Sequence, residues 1–236
     1  MKVLAIETSG LVASVAIADK DEIICEYTTN FKKTHSVILM PMLEEIIKVI
    51  DLDMKTVDII AVSGGPGSFT GLRIGSATAK GLAHVLNLPI VSVPTLEGLA
   101  NNIDRTDLLI CPLMDARRHQ VYTALYEYNE EHLQPLTEMM ATEIDNIIEK
   151  ILSYNKEVIF LGDGFKPNED RIKELFGERK WHVASPQNRI QRASSIALLG
   201  RKYAREGLTQ SYMEHAPIYL RKPQAEREYD EKHKKN

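Results

Sequence analysis

The sequence predicts an α/β fold of two lobes, and three features of the chain point to it. Segments rich in β-branched and apolar residues alternate with longer apolar segments of helical length, which is the pattern of sheets covered by helices. A unit of strand, acidic turn and strand occurs at residues 3–17 and again at 109–125, so that Glu7 and Asp115 occupy equivalent turns. The length of 236 residues, with 44% hydrophobic and 26% charged residues, suits one large or two modest domains.

We place the boundary between the lobes in the polar stretch 101–107. The predicted lobes are therefore residues 1–104 and 105–236, with the final segment packing back on the first lobe. Because short hairpins are common, chance explains the repeated strand–turn–strand unit as well as a relationship between the lobes does.

The elements of the first lobe follow from the spacing of its apolar residues. Residues 3–6 and 13–17 predict a β-hairpin whose polar turn carries Glu7. Pro41 should kink the following helix or delay its start, because proline lacks the amide hydrogen that a helix interior uses. The remaining predicted elements are a helix over residues 36–50, a buried strand over 58–62, a helix over 71–86 and a strand over 89–93.

The second lobe shows the same alternation of predicted strands and helices. Residues 109–114 and 121–125 predict a second hairpin. Thr142 with Asp145 resembles a capping box that begins a helix ending at Leu152. A strand over residues 158–161 and a helix over 194–205 follow, and from Arg221 onward we expect a mobile, solvated tail.

Charge and cysteine content exclude several classes of protein. The 29 basic and 33 acidic residues give a net charge of −4, which argues against a chain that binds nucleic acid unaided. Cys25 and Cys111 lie far apart in sequence and predict buried thiols, because no disulfide framework or thiolate metal site is visible. No export signal or membrane span is visible, so we expect a cytoplasmic protein.

The most informative segment is the glycine-rich stretch over residues 63–75, between a predicted strand and a predicted helix. Backbone amides and a helix N-terminus can bind a phosphate at such a position. The stretch lacks the G-K-[ST] ending of a P-loop, and its glycine spacing does not fit G-x-G-x-x-G. A phosphate site and a tight structural turn therefore remain equally good interpretations.

Small residues recur in the helix that follows, where Gly71, Gly75 and Ala79 stand at every fourth position. Interior glycines lower helix stability by about 1 kcal/mol each, so close packing must compensate for them. The packing partner is either this chain's own sheet or a second polypeptide. We favour the second polypeptide, because the apolar residues 37–43 point around most of the neighbouring helix and one intramolecular face cannot cover them all.

The sequence resembles the TsaB (YeaZ) family, relatives of the threonylcarbamoyl-transferring protein TsaD. Ile6 to Ser9, the glycine-rich stretch with residues 79–83, and residues 217–221 carry the resemblance. Weaker matches are His35-Ser36 with Leu39 and Pro41, and Asp115-Ala116-Arg117 with Tyr122. The resemblance implies two lobes of the actin-like ATPase (ASKHA) class, each a mixed sheet covered by helices. It also implies a role in making N6-threonylcarbamoyladenosine at position 37 of tRNA.

The same resemblance implies that this chain is a non-catalytic subunit. TsaD performs the transfer with a metal held by an H-x-x-x-H pair, and Thr95 and Leu99 stand where the two histidines would be. Leucine cannot coordinate a metal, and a threonine hydroxyl is a poor substitute for imidazole. The expected partners are TsaD in a heterodimer, TsaE through the complex, tRNA indirectly, and a second copy of the chain when TsaD is absent. We expect no cofactor in the isolated chain, with ATP and magnesium in the assembled complex.

Two groups of candidate site residues follow. The predicted partner-binding residues lie on the two helices of the first lobe: His35, Leu39, Met42, Leu43, Ile46, Phe69, Thr70, Gly71, Arg73, Ile74, Gly75 and Thr78. The candidate nucleotide-binding residues lie at turns after strands: Glu7, Ser9, Asp115, Gly162 and Gly164.

Other hypotheses remain open at this point. The chain is alternatively a metallo-endopeptidase-like or ATP-using enzyme of the actin-like superfamily, although neither a metal-binding histidine motif nor a recognisable nucleophile supports it. Arg117 and Arg118 either contact a phosphate or partner carboxylate, or are simply exposed loop residues, which is the reading we favour.

Overall fold

The computed structural model describes residues 1–31, 34–130 and 132–221. Its first sheet is mixed. The first three strands pair in antiparallel fashion, the fourth strand pairs in parallel with the first, and the fifth pairs in parallel with the fourth. The strands are β1 (Lys2–Glu7), β2 (Ala13–Asp19), β3 (Glu22–Thr29), β4 (Ile59–Gly65) and β5 (Ile90–Pro94), in the spatial order β3-β2-β1-β4-β5. The predicted first hairpin is confirmed.

Two helices, α1 (His35–Val49) and α2 (Phe69–Leu86), pack on one face of this sheet and contact each other. The start of α1 precedes Pro41, so the predicted delay is wrong. Proline at the seventh helical position removes only the amide that would bond to the carbonyl of Val37, a residue that is itself exposed. The α2 helix begins two residues earlier than predicted because Ser68 caps it, its Oγ accepting the Gly71 amide at 3.3 Å.

A short helix, α3 (Thr95–Ala100), leads out of the first sheet towards the second. The second sheet is also mixed, with the path β10-β7-β6-β11-β12 and with β8 pairing with β6 and β9. Its strands are β6 (Leu109–Asp115), β7 (Gln120–Thr123), β8 (Tyr126–Asn129), β9 (His132–Pro135), β10 (Met140–Glu143), β11 (Val158–Leu161) and β12 (His182–Val183). The predicted second hairpin is confirmed as β6 and β7.

The helices α4 (Ile144–Ser153) and α5 (Phe165–Phe176) belong to this second sheet, where Phe160, Ile147 and Ile172 lie in a shared apolar core. The predicted capping box is wrong. The helix begins at Ile144 with Glu143 at its N-cap position, so Thr142 lies one residue too early, in β10, where its hydroxyl accepts a hydrogen bond from the Asn146 side chain. Asp145 instead forms an ion pair with Arg171 of α5.

The chain then returns to the first lobe. Helix α6 (Ala193–Arg205) packs on the face of the first sheet opposite to α1 and α2, against β1, β2 and β4. Beyond α6, residues 208–221, which we call the C-terminal segment, run back along the first lobe. Residues 222–236, which hold most of the predicted mobile tail, lie outside the described residues. The placement of the boundary between the lobes near residue 104 stays a prediction.

Candidate functional site

The glycine-rich stretch is a junction in which several backbone amides have partners within the chain. The Gly65 amide donates to Thr95 Oγ1 at 3.1 Å, and the Ser68 amide donates to the Ser9 carbonyl at 2.6 Å. A Cβ on Gly67 would lie 2.4 Å from that same Ser9 carbonyl oxygen. Amides that are bonded internally are not free to cradle a phosphate. The geometry therefore favours the structural turn of the two interpretations that the sequence left open.

Beside this junction lies a cleft of about 620 Å³ between the two lobes. Its walls come from the β1 turn, the glycine-rich stretch, the β6 turn, Asp163 and the end of the C-terminal segment: Ser9, Gly10, Leu11, Gly67, Ser68, Phe69, Thr70, Met114, Asp115, Ala116, Arg117, Tyr122, Asp163, Tyr219, Leu220 and Arg221. Thus the two acidic turns that the sequence paired do meet across one cavity. We call this cavity the interlobe cleft.

The five candidate nucleotide-binding residues occupy different places around the interlobe cleft. Ser9 and Asp115 line it, and the buried Ser9 hydroxyl has no hydrogen-bond partner among the described residues. Gly162 and Gly164 flank the cleft residue Asp163. A Cβ on Gly162 would lie 2.1 Å from the Leu113 carbonyl oxygen, so this glycine is explained by close packing on β6. Their contact with a nucleotide stays a prediction.

Glu7 lies beneath the cleft surface rather than on it, with only 1% of its surface exposed. Its Oε1 accepts the Ser9 amide at 2.6 Å. Burial raises the pKa of Glu7 to about 7, although hydrogen bonds from Ser9 and Ser63 oppose this rise. Asp163 experiences a similar effect, since burial and the nearby Asp115 raise its pKa. The site therefore holds carboxyl groups whose neutral form is favoured by their surroundings.

The C-terminal segment closes one side of the interlobe cleft and ties the two lobes together. The Ile218 amide donates to the Gly64 carbonyl at 2.7 Å, and the Tyr219 ring packs on Phe69 with centroids 4.9 Å apart. Arg221 then reaches the second lobe, where its Nη1 donates to the Ala116 carbonyl at 2.5 Å. The sequence predicts that the final segment packs back on the first lobe, but it does not predict the bridge from Arg221 to the second lobe, because no local pattern encodes a contact across 105 residues.

Thr95 and Leu99 are both enclosed in the protein interior. Thr95 is fully buried and accepts the Gly65 amide, while Leu99 is 1% exposed and faces Gly162. Both side chains are thus used for packing and for anchoring the glycine-rich stretch. Across the described ranges, no group of three or more histidine, cysteine, aspartate or glutamate side chains is arranged to hold a metal ion.

A second feature of the first lobe is an exposed surface that presents apolar and small side chains, with Glu44, Glu45 and Lys48 exposed further along α1. We call it the outer helical face and define it by the outward residues of α1 and α2: Val37, Met40, Arg73, Ala77, Gly81 and Val85. Val37 and Val85 have 68% and 81% of their surface exposed. A Cβ on Gly81 would meet nothing within 4 Å, so this glycine has no packing role in the isolated chain. Exposed apolar side chains beside accessible small residues make this face a candidate for a partner contact.

The small residues of α2 that form the predicted seam face the chain's own sheet rather than the outer helical face. A Cβ on Gly71 would lie 2.1 Å from the Thr8 carbonyl oxygen, and one on Gly75 would lie 2.3 Å from Thr8 Oγ1. Ala79 is fully buried against the sheet. The small residues Gly71, Gly75 and Ala79 therefore contact this chain's own strands, and the expectation that they form a seam with a second polypeptide is wrong.

The predicted partner-binding residues form two groups, one buried and one accessible. Those enclosed in the chain's own core are Leu39, Met42, Leu43, Ile46, Gly71 and Gly75, and a partner cannot reach them while the lobe stays folded. Those that are exposed or half-buried are His35, Phe69, Thr70, Arg73, Ile74 and Thr78. Arg73 lies over the Phe69 ring at 4.0 Å from its centroid, which keeps both side chains at the edge of the outer helical face. Partner contact by the accessible residues stays a prediction.

The turn after β6 presents basic side chains to solvent. Arg117 has 88% of its side-chain surface exposed and lies 3.9 Å from Asp115. Arg117, Arg118 and His119 all adopt positive φ angles, an unusual run for residues other than glycine. This placement agrees with the interpretation of exposed loop residues.

Comparison with known proteins supplies an independent line of argument. The profile of the family described as TsaD, tRNA N6-adenosine threonylcarbamoyltransferase, matches residues 22–229. The tRNA threonylcarbamoyladenosine biosynthesis protein TsaB of Bacillus subtilis (strain 168) is 36% identical over 237 residues, which cover 99% of this chain and 100% of that protein.

Solved structures share the architecture. YeaZ from Pseudomonas aeruginosa superposes with a TM-score of 0.81 at 22% identity, covering 93% of this chain and 99% of that one. The activator of the 2-hydroxyisocaproyl-CoA dehydratase from Clostridium difficile, solved with bound ADPNP, superposes with a TM-score of 0.51 at 12% identity, covering 88% and 97%. At these identities the likeness shows the fold alone, which is the two-lobed actin-like ATPase fold. In the part of the chain that the structure describes, no helix is both long and apolar enough to cross a membrane.

Proposed function

The chain belongs to the TsaB family of tRNA threonylcarbamoyladenosine biosynthesis proteins, and we propose that it serves this modification as a non-catalytic subunit that binds TsaD. The observation that carries the proposal is the outer helical face. It combines exposed apolar side chains on α1 with exposed small residues on α2, so that a partner helix can approach the α2 backbone closely.

The composition of this face supports a specific protein contact. Isolated apolar residues at a surface need no explanation, but an exposed glycine inside a helix lowers helix stability by about 1 kcal/mol without any compensating contact. Gly81 has no such contact within the described chain. A partner side chain that packs over Gly81, between Ala77 and Val85, would supply it.

The interior of the chain supports the non-catalytic part of the proposal. TsaD relatives are described as threonylcarbamoyltransferases, and the resemblance places their metal-binding histidines at Thr95 and Leu99 of this chain. Neither side chain suits a transition metal, and both are committed to packing. The Gly65 and Ser68 amides of the glycine-rich stretch are likewise bonded within the chain, and we place ATP and magnesium in the assembled complex rather than in the isolated chain.

The other partners follow from this arrangement. TsaE and tRNA join through the complex with TsaD, since the net charge of −4 gives this chain little attraction of its own for a polyanion. When TsaD is absent, a second copy of the chain covers the same outer helical face. The exposed area would then be buried in either assembly.

The test is reconstitution with the TsaD of the same organism. Size-exclusion chromatography with light scattering should detect a 1:1 assembly at low micromolar concentration, and a dilution series of the chain alone should detect a weaker dimer. Mass spectrometry of tRNA nucleosides should detect threonylcarbamoyladenosine only when TsaD is present. Separate elution of the two proteins at tens of micromolar, or modification by this chain without TsaD, would overturn the proposal.

A further inference from the structure

A second cavity, of about 600 Å³, lies on the far side of the C-terminal segment from the interlobe cleft. Leu220 lines both cavities, so the segment separates them. The lining residues come from the ends of β5 and β9, from α3 and β8, and from the loop before β10: Pro94, Glu97, Tyr126, Pro135, Leu136, Thr137, Glu138, Met139 and Leu220. We call it the Glu97 cavity. The proposed docking to TsaD makes no use of it.

The walls of the Glu97 cavity are mainly apolar. Tyr126 is 2% exposed, and Leu136, Met139 and Leu220 are half-buried around the opening. A volume of this size lies within the range of about 300–1,000 Å³ that small-molecule sites occupy. Such a site fixes its ligand with a few polar groups placed in an apolar surface.

Glu97 is the polar group in the right position. It is 9% exposed, and the Tyr203 hydroxyl donates to its Oε2 at 2.5 Å. Within the described part of the chain no donor reaches the other carboxylate oxygen, Oε1. Oε1 is not among the fully buried polar atoms that lack a partner, so it is open to accept a hydrogen bond from a ligand in the cavity.

The charged residues around the cavity favour a ligand with a positive charge. The lining residues include two carboxylates, Glu97 and Glu138, and no lysine, arginine or histidine. Behind the wall, the charges of Lys202 and Glu206 act on Glu97 in opposite directions. Burial raises the pKa of Glu97, so an ammonium group that approaches the carboxyl group would stabilise its ionised form while donating a charge-assisted hydrogen bond.

We propose that the Glu97 cavity binds a small primary amine, with the ammonium group donating to Glu97 and an apolar body filling the space between Tyr126, Met139 and Leu220. The apolar body distinguishes such a ligand from a free polar amino acid, because the walls offer few further hydrogen-bond partners. It also distinguishes it from a lysine side chain of a partner protein, whose narrow stem would leave much of the cavity empty.

Phenethylammonium is a suitable probe, because a phenyl ring and a short stem carry its ammonium group. The full chain is labelled at the methionine methyl groups, and the Met139 signal is assigned with Met139→Leu. We expect the Met139 methyl signal to shift in a saturable 1:1 titration with a dissociation constant of about a millimolar or tighter. The neutral analogue 2-phenylethanol should bind at least tenfold more weakly, and n-butylammonium, which mimics a lysine side chain, at least fivefold more weakly.

Two variants test whether the ammonium group contacts Glu97. Glu97→Gln keeps an acceptor for Tyr203 but removes the charge, so it should weaken phenethylammonium at least tenfold. Glu149→Gln, at an exposed position of α4 outside the cavity, is the matched control and should change the affinity less than threefold. The comparison of the amine with 2-phenylethanol needs no substitution, so it tests whether binding requires the ammonium group even if Glu97→Gln fails to fold.

Three results would overturn the proposal. One is an unmoved Met139 signal at 20 mM phenethylammonium, and another is equal binding of the amine and 2-phenylethanol. The third is binding of n-butylammonium as tight as that of phenethylammonium, which would assign the cavity to a lysine side chain of a partner protein instead.

Discussion

Replacing Glu7 with glutamine should make the protein more stable, and more so as the pH rises. The carboxyl group is 1% exposed and accepts the Ser9 amide, a bond that a glutamine side-chain oxygen can also accept. Burial raises the pKa of Glu7 to about 7, from an ordinary value of 4.5 for a glutamate side chain. Ionised Glu7 therefore destabilises the folded state, and the uncharged glutamine removes this destabilisation.

The sign and size of the effect follow from proton linkage. Between pH 4.5 and 7 the unfolded chain has lost the proton from Glu7 while the folded chain keeps it, so the free energy of unfolding falls as the pH rises. Above pH 7 the full penalty is present. With about 1.4 kcal/mol for each pKa unit, the benefit of Glu7→Gln should grow by about 2.5 kcal/mol between pH 5.0 and pH 8.5.

The assay is urea unfolding of both proteins at these two pH values, followed by circular dichroism. All other titrating groups cancel in the difference between variant and wild type. Glu178→Gln, at an exposed position of the second lobe, is the control and should show no pH-dependent difference. A difference for Glu7→Gln that is constant with pH, or that grows towards low pH, would refute the reasoning.

The remaining predictions concern α2 and its cap. Gly75→Ala should lower the free energy of unfolding by about 1–3 kcal/mol, because the added Cβ displaces the Thr8 hydroxyl, whereas Gly81→Ala should raise it by up to about 1 kcal/mol; equal effects in urea unfolding would contradict the assigned faces of α2. Ser68→Ala removes the N-cap acceptor of the Gly71 amide and should lower the free energy of unfolding by about 1 kcal/mol, while Ser68→Asp should retain most of it; identical melting temperatures for the three proteins would argue against the cap.

The sequence predicts the alternating part of the fold well. Strong β-rich runs such as residues 3–6 and 158–161 are strands, and the helices over 36–50, 71–86 and 194–205 lie within two residues of their predicted bounds. These segments bury most of one face, so their hydrophobic pattern is clear.

The elements that the sequence misses are those with weak or mixed patterns. Strand β3 is a sheet edge that is mostly accessible on both faces, so it carries no strict alternation. Helix α5 contains six charged residues and a proline among twelve, and it buries only Phe165, Ile172 and Phe176. Strands β8 to β10 have four residues each, too few for a period to be recognised.

The candidate site was predictable in position but not in detail. The glycine-rich stretch and the two acidic turns do border the interlobe cleft, as their places after strands suggested. Which small residues of α2 face outward was not predictable, because Gly71 and Gly75 on one face and Ala77 and Gly81 on the other have the same spacing. Only the placement of Thr8 against α2 decides between the faces, and that contact is not local in sequence.

The central claim is that the outer helical face is the surface that binds TsaD. Titration calorimetry of TsaD into the wild-type chain and into Gly81→Trp tests it most directly, with Glu149→Trp on the exposed side of α4 as the matched control and with melting temperatures to verify folding. We predict that Gly81→Trp weakens binding at least tenfold, about 1.4 kcal/mol, while Glu149→Trp stays within twofold of wild type. Wild-type affinity in Gly81→Trp, with both variants folded, would contradict the claim.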